Sequence, residues 1–278
     1  MRKARRRDTL RALLTCMLGT ALLVYVLLNF APALDPVERG VMKERPQRGL
    51  AASCVGLLSA RRTQRASPTP TSAWVLDGFL AVGAEPGRRT RADGQREPYD
   101  PDGLALADVD ALVAENLTTL VSLIGEQARA PYGADAVARH SSVQLVHFPI
   151  KDYGTVPLVS LVPFVRQLAT RIAAREERVF LHCRGGHGRT ALVAVPLIAT
   201  LCDVSAERAR RALLAASKTG RADDALRDDL AMPETAAQWS TARGAVAALL
   251  AAPPPSGLRG GLRGGLLGAG AVPSAPPL

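Results

Sequence analysis

One run constrains this chain more than any other: Val179-Phe-Leu-His-Cys-Arg-Gly-Gly-His-Gly-Arg-Thr190. An apolar strand runs into a turn that holds Gly185, Gly186 and Gly188, and an apolar helix starts at Thr190. Glycines at these positions let the backbone turn its N–H groups inward and form a nest for an anion. The helix that follows aims its positive dipole end at the same point. Cys183 opens the turn, so its sulfur faces N–H donors, a helix end and Arg189, conditions that favour the thiolate. Arg189 can fold back across the turn, and its planar fork suits two oxygens of a phosphoryl group. A thiolate nucleophile inside a phosphate cradle implies covalent phosphoryl transfer. The plain alternative is a buried cysteine in a Gly-rich strand–helix turn. A metal site built from His182, Cys183 and His187 lacks ligand pairs of suitable spacing.

His182-Cys183-x-x-Gly186-x-Gly188-Arg189-Thr190 resembles the HCxxGxGR[ST] signature of the cysteine-dependent protein tyrosine and dual-specificity phosphatase superfamily. The resemblance implies Cys183 as nucleophile and Arg189 as phosphate clamp. It implies that His182 holds the nucleophile's geometry and that Thr190 hydrogen-bonds the sulfur. Arg184, Gly185, Gly186, His187, Gly188 and Arg189 would together bind the phosphate. Ala191 departs from the family, which usually has Gly there, and Ala is compatible with a first helical turn. The family supplies its general acid from an Asp upstream, and Asp152 stands 31 positions before Cys183. It follows a strand end and begins the loop Asp152-Tyr-Gly-Thr-Val-Pro157, whose motion would bring a carboxylic acid over a bound ester. The other reading is an Asp that merely starts a turn. Leu76-Asp-Gly-Phe-Leu-Ala-Val-Gly83 looks like the opening strand of the small, atypical dual-specificity-like members, and Pro233-Glu-Thr-Ala-Ala-Gln238 like the start of their closing helix. Gln238 is expected as an exposed helix residue and Cys202 as a helix core residue.

Apolar periodicity predicts strands over 74–82, 118–124, 143–150 and 178–182, and helices over 104–117, 157–175, 190–201, 206–217 and 233–250. Leu158, Leu161, Val162, Val165, Leu168 and Ile172 line one face of the second of these helices, and Ser205 is the expected N-cap of the fourth. Strands alternating with helices predict an α/β domain over 74–251, with a mostly parallel twisted sheet of four or five strands flanked by helices. The resemblance makes that domain phosphatase-like.

The net charge of +10 suggests nucleic acid until it is located. Residues 1–73 carry 13 Lys and Arg against 4 Asp and Glu, while 74–251 carry 20 basic and 21 acidic residues. The folded part is therefore close to neutral, and a nucleic-acid-binding domain is excluded. After a basic N-terminus at 1–11, residues 12–34 hold no charge. As a helix they would span about 35 Å, against a hydrocarbon core of roughly 30 Å. The segment reads as a single-pass membrane anchor, with a cleaved signal or organelle presequence as the other reading. Six basic residues before the run against four soon after it favour a cytosolic N-terminus and a lumenal catalytic domain. Asn116-Leu117-Thr118 is a glycosylation sequon that such a placement would expose. Residues 35–73 read as a linker, and the Gly/Pro-rich 252–278 as a disordered tail. The four cysteines show no disulfide framework.

The expected enzyme is a phosphatase acting on protein Ser, Thr or Tyr phosphates, monomeric in its catalytic domain and needing no cofactor or metal. Arg184 and His187 add positive charge that would suit a phosphoinositide or inositol phosphate instead. A membrane-tethered phosphate-binding module without turnover, and a sulfurtransferase or arsenate reductase with a related loop, are the readings from other classes.

Overall fold

Four of the five short strands are buried along their whole length, which requires cover on both faces of that part of the sheet, and the edge strand at 144–150 is largely exposed. The computed structural model describes residues 45–58, 65–89, 97–100, 103–125, 139–140, 142–221 and 231–251. It forms one five-stranded sheet in the order β1-β2-β5-β3-β4 from β1 (Ser72–Leu76), β2 (Leu80–Ala84), β3 (Thr119–Ile124), β4 (Gln144–Ile150) and β5 (Val179–Cys183). β1 and β2 pair antiparallel, and all other neighbours pair parallel. The helices are α1 (Arg45–Leu58), α2 (Leu104–Ala114), α3 (Leu158–Arg175), α4 (Gly188–Cys202), α5 (Ala206–Gly220) and α6 (Ala236–Ala251).

Strand alternation divides the core in two. Val179, Leu181 and Cys183 of β5 face the larger cluster, built with α1, α3, α4, α5 and α6. Phe180 faces a smaller cluster with Trp74, Ala81 and Leu120, which α2 closes through Ala105, Val109 and Leu112. Helix α4 has no polar stripe because it lies in the middle of the larger cluster, against α3, α5 and α6. Ser205 caps α5, its Oγ accepting the Arg208 N–H at 3.3 Å.

Three expectations are corrected. The single strand over 74–82 is a hairpin, because Asp77-Gly78 makes a tight turn with Gly78 at φ +74° and the Phe79 N–H donates to the Leu76 carbonyl at 2.9 Å. The linker over 35–73 contains α1 and the first residues of β1. Leu50, Cys54 and Leu57 recur at helical spacing and bury themselves in the larger cluster. A domain cut at residue 74 would therefore lose a core helix and the first two residues of β1. Cys54 and Cys202 form a disulfide across 148 positions, joining α1 to the C-terminal end of α4, so Cys202 is more than a core residue. The segments expected at 1–11, 12–34 and 252–278 lie outside the described residues. Among the described residues no single helix is long and apolar enough to cross a membrane.

Candidate active site

The turn between β5 and α4 takes its shape from what surrounds each residue. Cys183 ends the central strand, is 3% exposed, and its Sγ accepts the Gly186 N–H at 3.2 Å. Gly186 is at φ +80°, where a side chain is strained, and a Cβ there would stand 2.5 Å from the Gly83 carbonyl carbon of β2. Gly188 has a different reason for lacking a side chain: a Cβ would lie 2.3 Å from Glu234 Oε2 and 2.8 Å from Gln238 Oε1. Behind the turn Arg221, 1% exposed at the end of α5, donates from Nη2 to the Gly185 carbonyl at 3.1 Å. That bond holds a carbonyl away from the side where an anion would sit. Arg184 is exposed, and its carbonyl accepts the Glu85 N–H at 3.4 Å. His187 is buried at the N-terminal boundary of α4.

Arg189 lies in the first turn of α4, and its guanidinium folds back toward the end of β4. Its Nη1 donates to the Ile150 carbonyl at 3.3 Å, and its Nη2 is 2.8 Å from Asp152 Oδ1. Asp152 sits in a turn closed by the Gly154 N–H donating to the Lys151 carbonyl at 2.8 Å, and its side chain is 52% exposed. Asp152, Tyr153, Cys183, Arg184, Gly185, His187, Arg189 and Glu234 line one open pocket. The sequence thus places Cys183, Arg189 and Asp152 in one spot, from a strand end, a helix start and a loop 31 residues upstream.

His182 is fully buried, with Nδ1 3.4 Å from the Cys183 carbonyl and its ring stacked on Phe180 at 5.5 Å. Burial holds its pKa down to about 3, and the Arg189 charge acts in the same direction. It is therefore a neutral imidazole that packs the base of the turn. Thr190 differs from expectation. Its hydroxyl is fully buried and makes no hydrogen bond among the described residues, so the expected bond to the sulfur is not formed here. Among the described residues no three His, Cys, Asp or Glu side chains are grouped to hold a metal ion.

Gln238 corrects another expectation. It is fully buried and belongs to a capping box at the start of α6: its N–H donates to Thr235 Oγ1 at 3.1 Å, and its Oε1 accepts the Thr235 N–H at 3.3 Å. Its Nε2 donates to the Gly154 carbonyl at 3.1 Å, which ties the Asp152 turn to α6. The spacing Thr235-x-x-Gln238 announces the capping box in the sequence, while nothing there announces the reach to Gly154. Glu234 lies in the Pro233–Gln238 stretch that resembles the family's closing helix, while Arg221 has no sequence signal beyond its charge. Beside Arg184, Glu85 is buried, and burial raises its pKa against the opposing pull of Arg88 and Arg184. Arg88 stacks on Tyr99 at 5.0 Å.

Residues 102–238 match the family model described as PTP-SAK, Swiss Army Knife protein, DSP-PTPase phosphatase domain. The chain is 35% identical over 68 residues to the putative tyrosine phosphatase 197R of Invertebrate iridescent virus 6, a match covering 23% of this chain and 25% of that protein. Among solved structures it is similar to Tk-PTP in the active form, at 21% identity and TM-score 0.46, over 64% of this chain and 97% of that one. Human DUSP28 is similar at 18% identity and TM-score 0.45, over 66% of this chain and 99% of that one. TpbA of P. aeruginosa, solved with pTyr, is similar at 19% identity and TM-score 0.41, over 66% of this chain and 94% of that one.

Proposed function

We propose, on the premise that this chain belongs to the tyrosine and dual-specificity phosphatase family through its DSP-PTPase domain, that it hydrolyses phosphate monoesters through a cysteinyl-phosphate intermediate. The observation that carries the proposal is the convergence of Cys183, Arg189 and Asp152 on one pocket. The Cys183 thiolate attacks phosphorus, the ester P–O bond breaks, and the leaving oxygen takes the proton of Asp152. Arg189 and the N–H groups of the turn offset the charge spread over the equatorial oxygens. Water then attacks the phosphocysteine and gives a proton to the Asp152 carboxylate, the P–S bond breaks with its electron pair returning to sulfur, and inorganic phosphate leaves.

The substrate we propose is a phosphorylated Ser, Thr or Tyr side chain. Two carboxylates, Asp152 and Glu234, line the pocket, and Arg184 shares its charge with buried Glu85. Such a rim suits a single phosphate better than a polyphosphorylated headgroup. We also propose that residues 12–34 anchor the chain and that the catalytic domain lies on the lumenal side. The Cys54–Cys202 disulfide supports this side, because such bonds persist in oxidising compartments, and Asn116 of the sequon is exposed.

The test of the activity uses the full chain in detergent with p-nitrophenyl phosphate. Cys183→Ser and Arg189→Ala should each abolish turnover, with vanadate inhibitory and chelator harmless. Substantial activity in Cys183→Ser would end the covalent mechanism.

A further inference from the structure

Strands β2 and β5 run parallel with Ala84 level with Cys183, so the residue after β2 stands beside the residue after the nucleophile. That residue is Glu85, and its N–H donates to the Arg184 carbonyl at 3.4 Å. Glu85 is 4% exposed, and a buried carboxylate is costly unless cations and donors surround it. Arg88 Nε lies 2.9 Å from Glu85 Oε2, the Tyr99 hydroxyl donates to the same carboxylate, and the Arg184 charge acts on it. The segment is also fixed from its other side. The Gly87 N–H donates to the buried Asp108 at 2.7 Å, and Arg89 reaches both oxygens of Asp108 at 2.7 Å.

Arg88 and Arg89 are thus both paired with buried carboxylates. Arg184 is placed differently: it is exposed, it lines the pocket, and it directly follows Cys183. An unopposed guanidinium there would draw a substrate that carries a second anionic group next to the scissile phosphate. In Glu85→Gln the amide oxygen could still accept from Arg88 and Tyr99, but Arg184 would lose the charge that faces it. The negative charge of Glu85 therefore has an effect that its hydrogen bonds alone do not supply.

We infer that Glu85 is a positioning residue that sets substrate specificity: buried beside the pocket wall, it offsets the charge of Arg184 and so removes the advantage of a doubly phosphorylated substrate over a singly phosphorylated one. The inference rests on the phosphatase reading above. Glu85 does not touch the substrate and acts through Arg184.

The experiment compares two phosphotyrosine peptides of one sequence, the second with another phosphotyrosine next to the first, using the full chain in detergent. Wild type should not favour the doubly phosphorylated peptide in kcat/KM at low or at high salt. In Glu85→Gln that peptide should gain about fivefold or more, through KM, and raised salt should remove the gain. Adding Arg184→Ala to Glu85→Gln should remove it as well, which a merely loosened turn does not predict. A ratio of the two peptides within about twofold of wild type in Glu85→Gln, or a gain that survives Arg184→Ala, overturns the inference. Should Glu85→Gln not fold, as read by its circular dichroism, wild type decides. A preference of about fivefold or more for the doubly phosphorylated peptide that fades with salt would mean that Arg184 acts unopposed and would overturn the inference, and the lack of such a preference supports it. Failure of the phosphatase reading itself looks different: wild type would release phosphate from neither peptide.

Discussion

Replacing Arg221 by methionine keeps most of the buried stem and removes one guanidinium from behind the phosphate turn. The Gly185 carbonyl then loses the donor that stands 3.1 Å away, in a place where Arg221 is 1% exposed. A hydrogen bond from a charged donor contributes about 1.5–3 kcal/mol. If the whole loss falls on the anion-binding shape of the turn, vanadate inhibition weakens by roughly 10- to 150-fold. If it falls on the fold instead, the urea midpoint drops by about 1 M, taking a slope of about 2 kcal/mol/M. The two readouts share one loss, so a large change in one goes with a smaller change in the other. Trp74 and Trp239 report the unfolding by fluorescence, and p-nitrophenyl phosphate reports inhibition. An inhibition constant within about twofold of wild type, together with an unmoved midpoint, refutes the assignment of Arg221 as a positioning residue for this turn.

Two further outcomes follow from the site. Asp152→Asn should lower kcat by roughly 10²–10⁴, and the loss should shrink as the leaving group improves; equal activity on phosphotyrosine peptides would mean that another group is the acid. The unfolded chain takes a proton on His182 near pH 6.5, but the folded protein refuses it until about 3. Stability should therefore fall as pH drops from 6.5 toward 3 and be unaffected by this group above 6.5. The difference in urea midpoint between wild type and His182→Asn, followed over that range, should shrink on acidification; a constant difference would contradict it.

The chemistry of the site was legible where it is written in neighbouring residues. Cys183, Gly186 and Arg189 lie within one strand–turn–helix unit, and the helix at 158–175 shows its buried face at a regular spacing. Asp152 was within reach because its loop follows a strand end at a spacing typical of the family. The hairpin was missed because apolar residues on both sides of Asp77-Gly78 masked a turn dipeptide. Helix α1 does not stand out because Arg45-Pro46-Gln47-Arg48 opens it and Arg61, Arg62 and Arg65 follow it, so its short apolar stretch reads as part of a basic linker. Gln238 and Arg221 escaped for a different reason. Their roles depend on how the ends of α5 and α6 meet the turn, and no local periodicity encodes such a meeting.

The disulfide sets a condition on handling that the catalytic cysteine contradicts. Cys183 is the free cysteine among the described residues and is the sulfur that must stay a thiol, whereas Cys54 and Cys202 must stay joined to fasten α1 onto the helix that begins at the phosphate turn. A strong reductant that protects the first also opens the second, and an oxidant has the reverse effect. Routine dithiothreitol in the buffer therefore changes two sulfur centres at once, and loss of activity after long reduction would report a loosened scaffold, not a spent nucleophile. A glutathione buffer of graded poise, with Cys54→Ala/Cys202→Ala as the reference, separates the two.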